Sequence, residues 1–219
     1  MSSIRSLTLV LLLAGTCRAE PVDPQSNPEH TLHRPWGQVL VLNGSKHIAG
    51  TGWGNGASQS LSGIEAAFAP GRGSVFLEVR IAFTRNLILD LPLPGEDGRL
   101  IPLNTVVSTY EYSMGLRKDF WLSTPRWTPW VSAGVVLIDA RRSVWNDDLS
   151  SIQFEGTALG SILGAGVQLR FLDHGVLGLE LRHSSAWTLL SPRYGGDATD
   201  SYHSNSGGRS IALTFGLIW

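Results

Sequence analysis

The chain has little of what most folds and most active sites rely on. A single cysteine, Cys17, stands in 219 residues, which excludes an internal disulfide. Charged residues make up only 16% and the formal net charge is -1, so nothing argues for a nucleic-acid partner. Beyond the first residues no apolar run is long enough for a membrane-spanning helix. No cluster with metal-ligand spacing and no phosphate-cradling glycine loop occurs, so no cofactor and no metal is implied.

Glycine and tryptophan are plentiful, at 25 and 8 residues. Many short strands, tight turns and interfacial aromatics produce that bias. Residues 1–19 read as a signal peptide, with Arg5 as the positive region and Leu7 to Ala14 as the apolar one. Cleavage after Ala19 fits. A rival reading takes Leu13-Ala14-Gly15-Thr16-Cys17 as a lipidation signal at Cys17. Residues 20–34 are polar and carry Pro21, Pro24 and Pro28, the marks of a flexible lead-in. Residues 35–219 form the single domain.

In that domain, strict alternation predicts strands with two different faces. The pattern predicts strands near Trp36–Asn43, Gln59–Ala69, Ser74–Thr84, Val106–Lys118, Trp130–Arg141, Glu155–Phe171, Val176–Trp187 and Ser210–Trp219. Connections after the first, third, fifth and seventh strands read as long loops: the proline-bearing stretch Asn86 to Asn104, the polar stretch Arg142 to Gln153, and Thr188 to Gly208 among them. Those after the second, fourth and sixth read as short turns. This alternation fits an all-β, eight-stranded antiparallel up-and-down transmembrane β-barrel integral to the outer membrane of the Gram-negative type. The last strand supports it, with Ile211, Leu213, Phe215, Leu217 and Trp219 on one face.

The charges Glu65, Glu78, Arg80, Glu111, Arg117, Arg170, Glu180 and Arg182 all take the parity opposite the large apolar residues. Facing lipid, each would cost about 2–4 kcal/mol at the midplane. Facing inward, mixed in sign, they neutralise one another and plug a narrow barrel, which argues against an open pore. Parity alone leaves a second fold open: a soluble lipocalin-like barrel, with the apolar side inward.

One pair of chemical groups sits on the apolar parity. On the seventh strand, Leu177, Leu179 and Leu181 are followed at the same spacing by His183 and Ser185. Residues two apart share a strand face, and a histidine beside a serine is the core of nucleophilic acyl transfer. The plain alternative is an interfacial His and Ser where the apolar band ends. His203 and Ser204 offer a second pair, in a predicted loop.

From Trp36 onward the chain resembles the outer-membrane lipid A 3-O-deacylase family, also called acyloxyacyl hydrolase-like. The similarity runs through Tyr110-Glu111-Tyr112-Ser113-Met114-Gly115-Leu116-Arg117, Thr128-Pro129-Trp130-Val131-Ser132-Ala133-Gly134 and Gly164-Ala165-Gly166-Val167. It is sharpest at Leu179-Glu180-Leu181-Arg182-His183-Ser184-Ser185-Ala186 and at Asn205-Ser206-Gly207-Gly208-Arg209-Ser210. The resemblance implies an esterase that removes an acyl chain from lipid A. Ser185 would be its nucleophile and His183 its base, on the outer wall within the lipid layer.

Two positions depart from that family's pattern. The Asn after the serine is Ala186 here, and losing one oxyanion donor can cost about 10²–10³ in rate. The expected acid falls near Arg209, which leaves Asp200, or Asp197, to fold back from the preceding loop, and Asn205 as a substrate-binding donor. The alternative function is a non-catalytic barrel of the opacity or OmpA-like kind, acting in adhesion or envelope integrity.

Overall fold

A computed structural model describes residues 35–48, 58–70, 74–94, 100–121, 126–146, 149–171, 174–194 and 201–219. The expected leader (1–19) and lead-in (20–34) lie outside the described residues. The described elements are all strands: β1 (Gly37–His47), β2 (Ser58–Phe68), β3 (Val75–Pro94), β4 (Leu100–Asp119), β5 (Trp127–Asn146), β6 (Leu149–Phe171), β7 (Gly175–Ser185), β8 (Trp187–Tyr194), β9 (Tyr202–Asn205) and β10 (Gly208–Ile218). Strands β1 to β6 pair antiparallel in chain order. Strand β6 then pairs β7 and, higher up, β8, while β10 pairs both β7 and β1. Segments β7 and β8 form one stave broken at Ala186, and β9 and β10 form the next, so the ten segments make a closed eight-stave barrel. Closure leaves the wall without an unpaired sheet edge.

The seam joins opposite ends of the chain. Gln38 meets Ile218, and His47 meets Arg209. Trp36 packs edge-on against Phe68 and Trp219, with ring centroids 5.8 Å apart in each pair.

Parity decides the two faces. Leu213, Leu217 and Leu181 are 61%, 59% and 57% exposed, and Val41, Ile64, Met114 and Leu116 also point outward. An apolar belt of this extent is unsuited to water and matched to lipid. The charges assigned to the other parity are all buried inside, from Glu65 to Arg182. The lipocalin-like alternative, with its apolar side inward, is therefore corrected: the large apolar side chains form the outer wall.

The interior has two levels. In the lower one, Arg182 reaches Glu65, Glu78 at 2.5 Å and Glu180 at 3.3 Å. Arg80 binds Glu180 at 2.5 Å, and Arg117 binds Asp119 at 2.7 Å. Trp130 lies among them, with Arg117 and Arg182 stacked 4.5 and 5.1 Å from its ring centre. It fits because β6 presents glycine across from it: a Cβ on Gly166 would stand 2.7 Å from the indole. The upper level is apolar, with Ile48, Val107, Val136, Ile138, Ile162 and Leu190 buried together. Lys46, two residues before Ile48 of this layer, is buried and bonded to Glu111.

Three predicted loops are mostly strand. Strand β3 continues to Pro94 and β4 begins at Leu100; β5 reaches Asn146 and β6 begins at Leu149; β8 and β9 occupy much of Thr188 to Gly208. Proline misleads here for a physical reason. Pro92 stands opposite Pro102, beyond the last pairs that β2 and β5 make at Arg85 and Asn104. Among the described residues no strand neighbours the outer edges of that hairpin to receive an amide hydrogen, so proline costs the ladder nothing there. The connection after β1 lies outside the described residues.

Candidate functional site

His183 and Ser185 both belong to β7 and both face away from the interior, His183 exposed and Ser185 half-buried. Leu181 precedes them on that face, and Leu163 of β6 lies directly across from His183. Ser161 is across from Ser185. On the other side, the residue opposite His183 is Arg209 of β10. Among the described residues neither His183 nor Ser185 makes a side-chain hydrogen bond, to one another or to a carboxylate. A general base must come within about 2.6–3.2 Å of the proton it takes, although such contacts are often longer before substrate binds.

The supporting residues divide. Asp200 and Asp197 lie outside the described residues. Ala186 is buried in the upper apolar layer, on the face opposite Ser185. A Cβ on Gly160 would lie 2.8 Å from the Ala186 methyl, so this stave has little room inside for a larger side chain. An oxyanion donor at 186 would point into the barrel rather than toward Ser185. The Asn205 Oδ1 accepts a 2.9 Å bond from the Gly207 amide and so fixes the turn between β9 and β10. His203 and Ser204, adjacent on β9, take opposite faces: His203 is exposed and Ser204 buried.

On the β10 side of His183 the wall is polar. His47, Arg209 and His183 stand side by side on β1, β10 and β7, all exposed. Ser58 of β2 continues the row beside His47, and Ser60 and Ser62 lie below it. Sequence reading found His183 and Arg209 one at a time. Their alignment with His47 depends on register across the closing seam, which no local pattern encodes.

Protein-family models and curated proteins give no match to this chain. Solved structures do. Ail, the attachment invasion locus protein of Yersinia pestis, solved with the heparin analogue sucrose octasulfate, superposes with a TM-score of 0.52 at 10% identity, covering 84% of this chain and 97% of Ail. A major outer membrane protein of Thermus thermophilus gives a TM-score of 0.52 at 12% identity, covering 84% of this chain and 98% of that one. At such identities the likeness is one of fold. It agrees with the apolar outer wall and charged interior in making this chain an eight-stranded outer-membrane barrel.

Proposed function

We propose that this outer-membrane barrel is non-catalytic and acts through its protruding hairpins, in adhesion or envelope integrity. The observation that carries this reading is the neighbourhood of His183: a guanidinium, Arg209, lies across from it where a triad needs a carboxylate. Strand lengths favour the hairpins as the working surface. Strands β3, β4 and β5 have 20 residues and β6 has 23, and the β7–β8 stave runs from Gly175 to Tyr194, against 11 residues in β1 and β2. A bilayer takes about 9–11 residues of a tilted strand, so two hairpins carry a large excess beyond it. A filled interior also suits a scaffold better than a conduit.

The second reading is a Ser/His lipid A deacylase. It is favoured by the shared outward face of His183 and Ser185 beside Leu163 and Leu181, an apolar flank suited to acyl chains. Mass spectrometry of lipid A from outer membranes carrying the protein or its Ser185→Ala variant separates the two. Unchanged lipid A in both supports the scaffold. Loss of a hydroxyacyl chain that requires Ser185 overturns it. Shortening the hairpin between β3 and β4 then tests the scaffold directly, by cell adhesion and by envelope resistance to detergent.

A further inference from the structure

We infer that the outward face of β1 and β2 is the contact surface of a twofold-symmetric homodimer within the membrane. The inference makes no use of His183 or Ser185, so it stands beside either reading of function.

The register puts a polar island inside the apolar belt. On β1 the outward Val39 and Val41 give way to Asn43 and Ser45, and on β2 the outward Phe68 and Ile64 give way to Ser62 and Ser60. Pairing sets Asn43 directly against Ser62, and Ser45 against Ser60. Lipid-facing side chains flank the island on both sides. Leu213 and Ile211 of β10 stand opposite Asn43 and Ser45, and both are exposed. Phe83 of β3 stands opposite Ser62 and packs on Tyr110, with ring centroids 4.8 Å apart. The far wall differs. Strand β5, diametrically across the closed barrel, is apolar outward from Val131 through Ala133 and Val135 to Leu137.

Hydrocarbon offers these groups no partner. Among the described residues the side chains of Asn43, Ser45 and Ser62 make no hydrogen bond, and Ser60 donates its hydroxyl hydrogen to the Arg85 carbonyl at 3.0 Å. A polar group that faces lipid without a partner is costly. The occupant of this face must therefore bring donors and acceptors to the same depth in the membrane. A second copy does so by construction, because its own island lies at that depth. A carboxamide and a hydroxyl each donate and accept, so the patch is self-complementary, as a twofold contact requires. Asn43, Ser45, Ser60 and Ser62 carry no formal charge to repel a copy of themselves, and their side chains are short enough for two walls to approach closely.

The test is sedimentation equilibrium of the barrel, purified folded from the outer membrane, in density-matched detergent, together with cysteine cross-linking in phosphatidylcholine vesicles. The expected result is a monomer–dimer equilibrium whose association weakens at least about tenfold in Asn43→Leu with Ser62→Leu, and stays within about threefold of the parent in Asn43→Gln with Ser62→Thr. These side chains are on the outer surface, and heat-modifiable gel migration verifies that each variant is folded. On oxidation, Ser62→Cys should join into a covalent dimer. Val135→Cys on the far wall should not exceed the parent protein, whose one cysteine is Cys17. A monomer under every condition overturns the inference and leaves the island to water in a locally thinned bilayer. Unchanged association of the leucine pair, or equal cross-linking at positions 62 and 135, overturns it as well. So does capture of a different protein by Ser62→Cys in whole outer membranes, in place of a second copy. Failure here leaves both readings of function as they stand, because those are decided by lipid A composition in the membrane.

Discussion

The lower and upper levels of the barrel interior are built on one rule and filled by opposite chemistry. Both use the inward parity of the same staves. Below, Glu65, Glu78, Asp119 and Glu180 are woven together with Arg80, Arg117 and Arg182. Above, Val107, Val136, Ile138, Ile162 and Leu190 make a small dry core. The difference teaches what a narrow barrel demands of its filling. A charge is tolerated inside only when its partners converge from several strands, whereas an apolar group needs only volume. The lower level therefore fixes which residues must be present together, and the upper level fixes only how much space they fill.

The largest expected effect tests that contrast at its centre. Arg182→Ala leaves Glu65, Glu78 and Glu180 buried without their shared cation and should cost about 3–5 kcal/mol, read as a lower urea midpoint in lipid vesicles. A double-mutant cycle with Glu78→Gln should return a coupling of about 0.5–3 kcal/mol; additive losses would mean the lower level is not a network. In the upper level, Ile138→Ala opens a cavity and should cost toward the lower end of about 2–5 kcal/mol. Ile138→Leu should recover nearly all of it, a rescue by volume that no neutral replacement of Arg182 matches. At Trp130, Gly166→Ala forces a methyl against the indole at 2.7 Å and should cost about 1–3 kcal/mol, with an altered tryptophan emission. The smallest effect belongs to neither level. Ser185→Ala, half-buried on the outer wall and free of described hydrogen bonds, should shift stability by no more than about 0.5 kcal/mol. A larger loss would show that the wall at Ser185 is under structural load.

Much of this organisation is legible in the sequence. Alternation alone separates Glu65, Glu78, Arg80, Arg117, Glu180 and Arg182 from the leucines and valines that face lipid, and each proves buried. Lys46 escapes notice because Gly44 and Ser45 weaken the pattern just before it, so the first strand reads as ending at Asn43. Its bond to Glu111 is made across 65 residues of chain. The upper apolar layer is hidden for another reason: Val136 and Ile138 alternate with the outward Val135 and Leu137, and a strand apolar on both faces has no period to read. The protruding hairpins are obscured by prolines that ordinarily end strands. At the candidate site, residue types and shared face are readable for His183 and Ser185. What stands across from them is a matter of register, and Arg209 and His47 come from strands far away in the chain.

The seam between β1 and β10 has a consequence for the order of assembly. Gln38 meets Ile218 only when nearly the whole described chain has been gathered. The entropy of closing so long a loop must be met before that seam returns any contact energy. Every other stave contact joins near neighbours in sequence, and so has a low kinetic threshold. The barrel is therefore expected to zip as successive hairpins and to close late, with Trp36 and Trp219 meeting at the end. Until then β1 and β10 are two open edges in a hydrocarbon environment, where unpaired backbone groups are most costly. Late closure makes the half-formed barrel the species most exposed to mispairing with another chain. It also makes the Trp36–Trp219 contact a natural optical reporter of the last step.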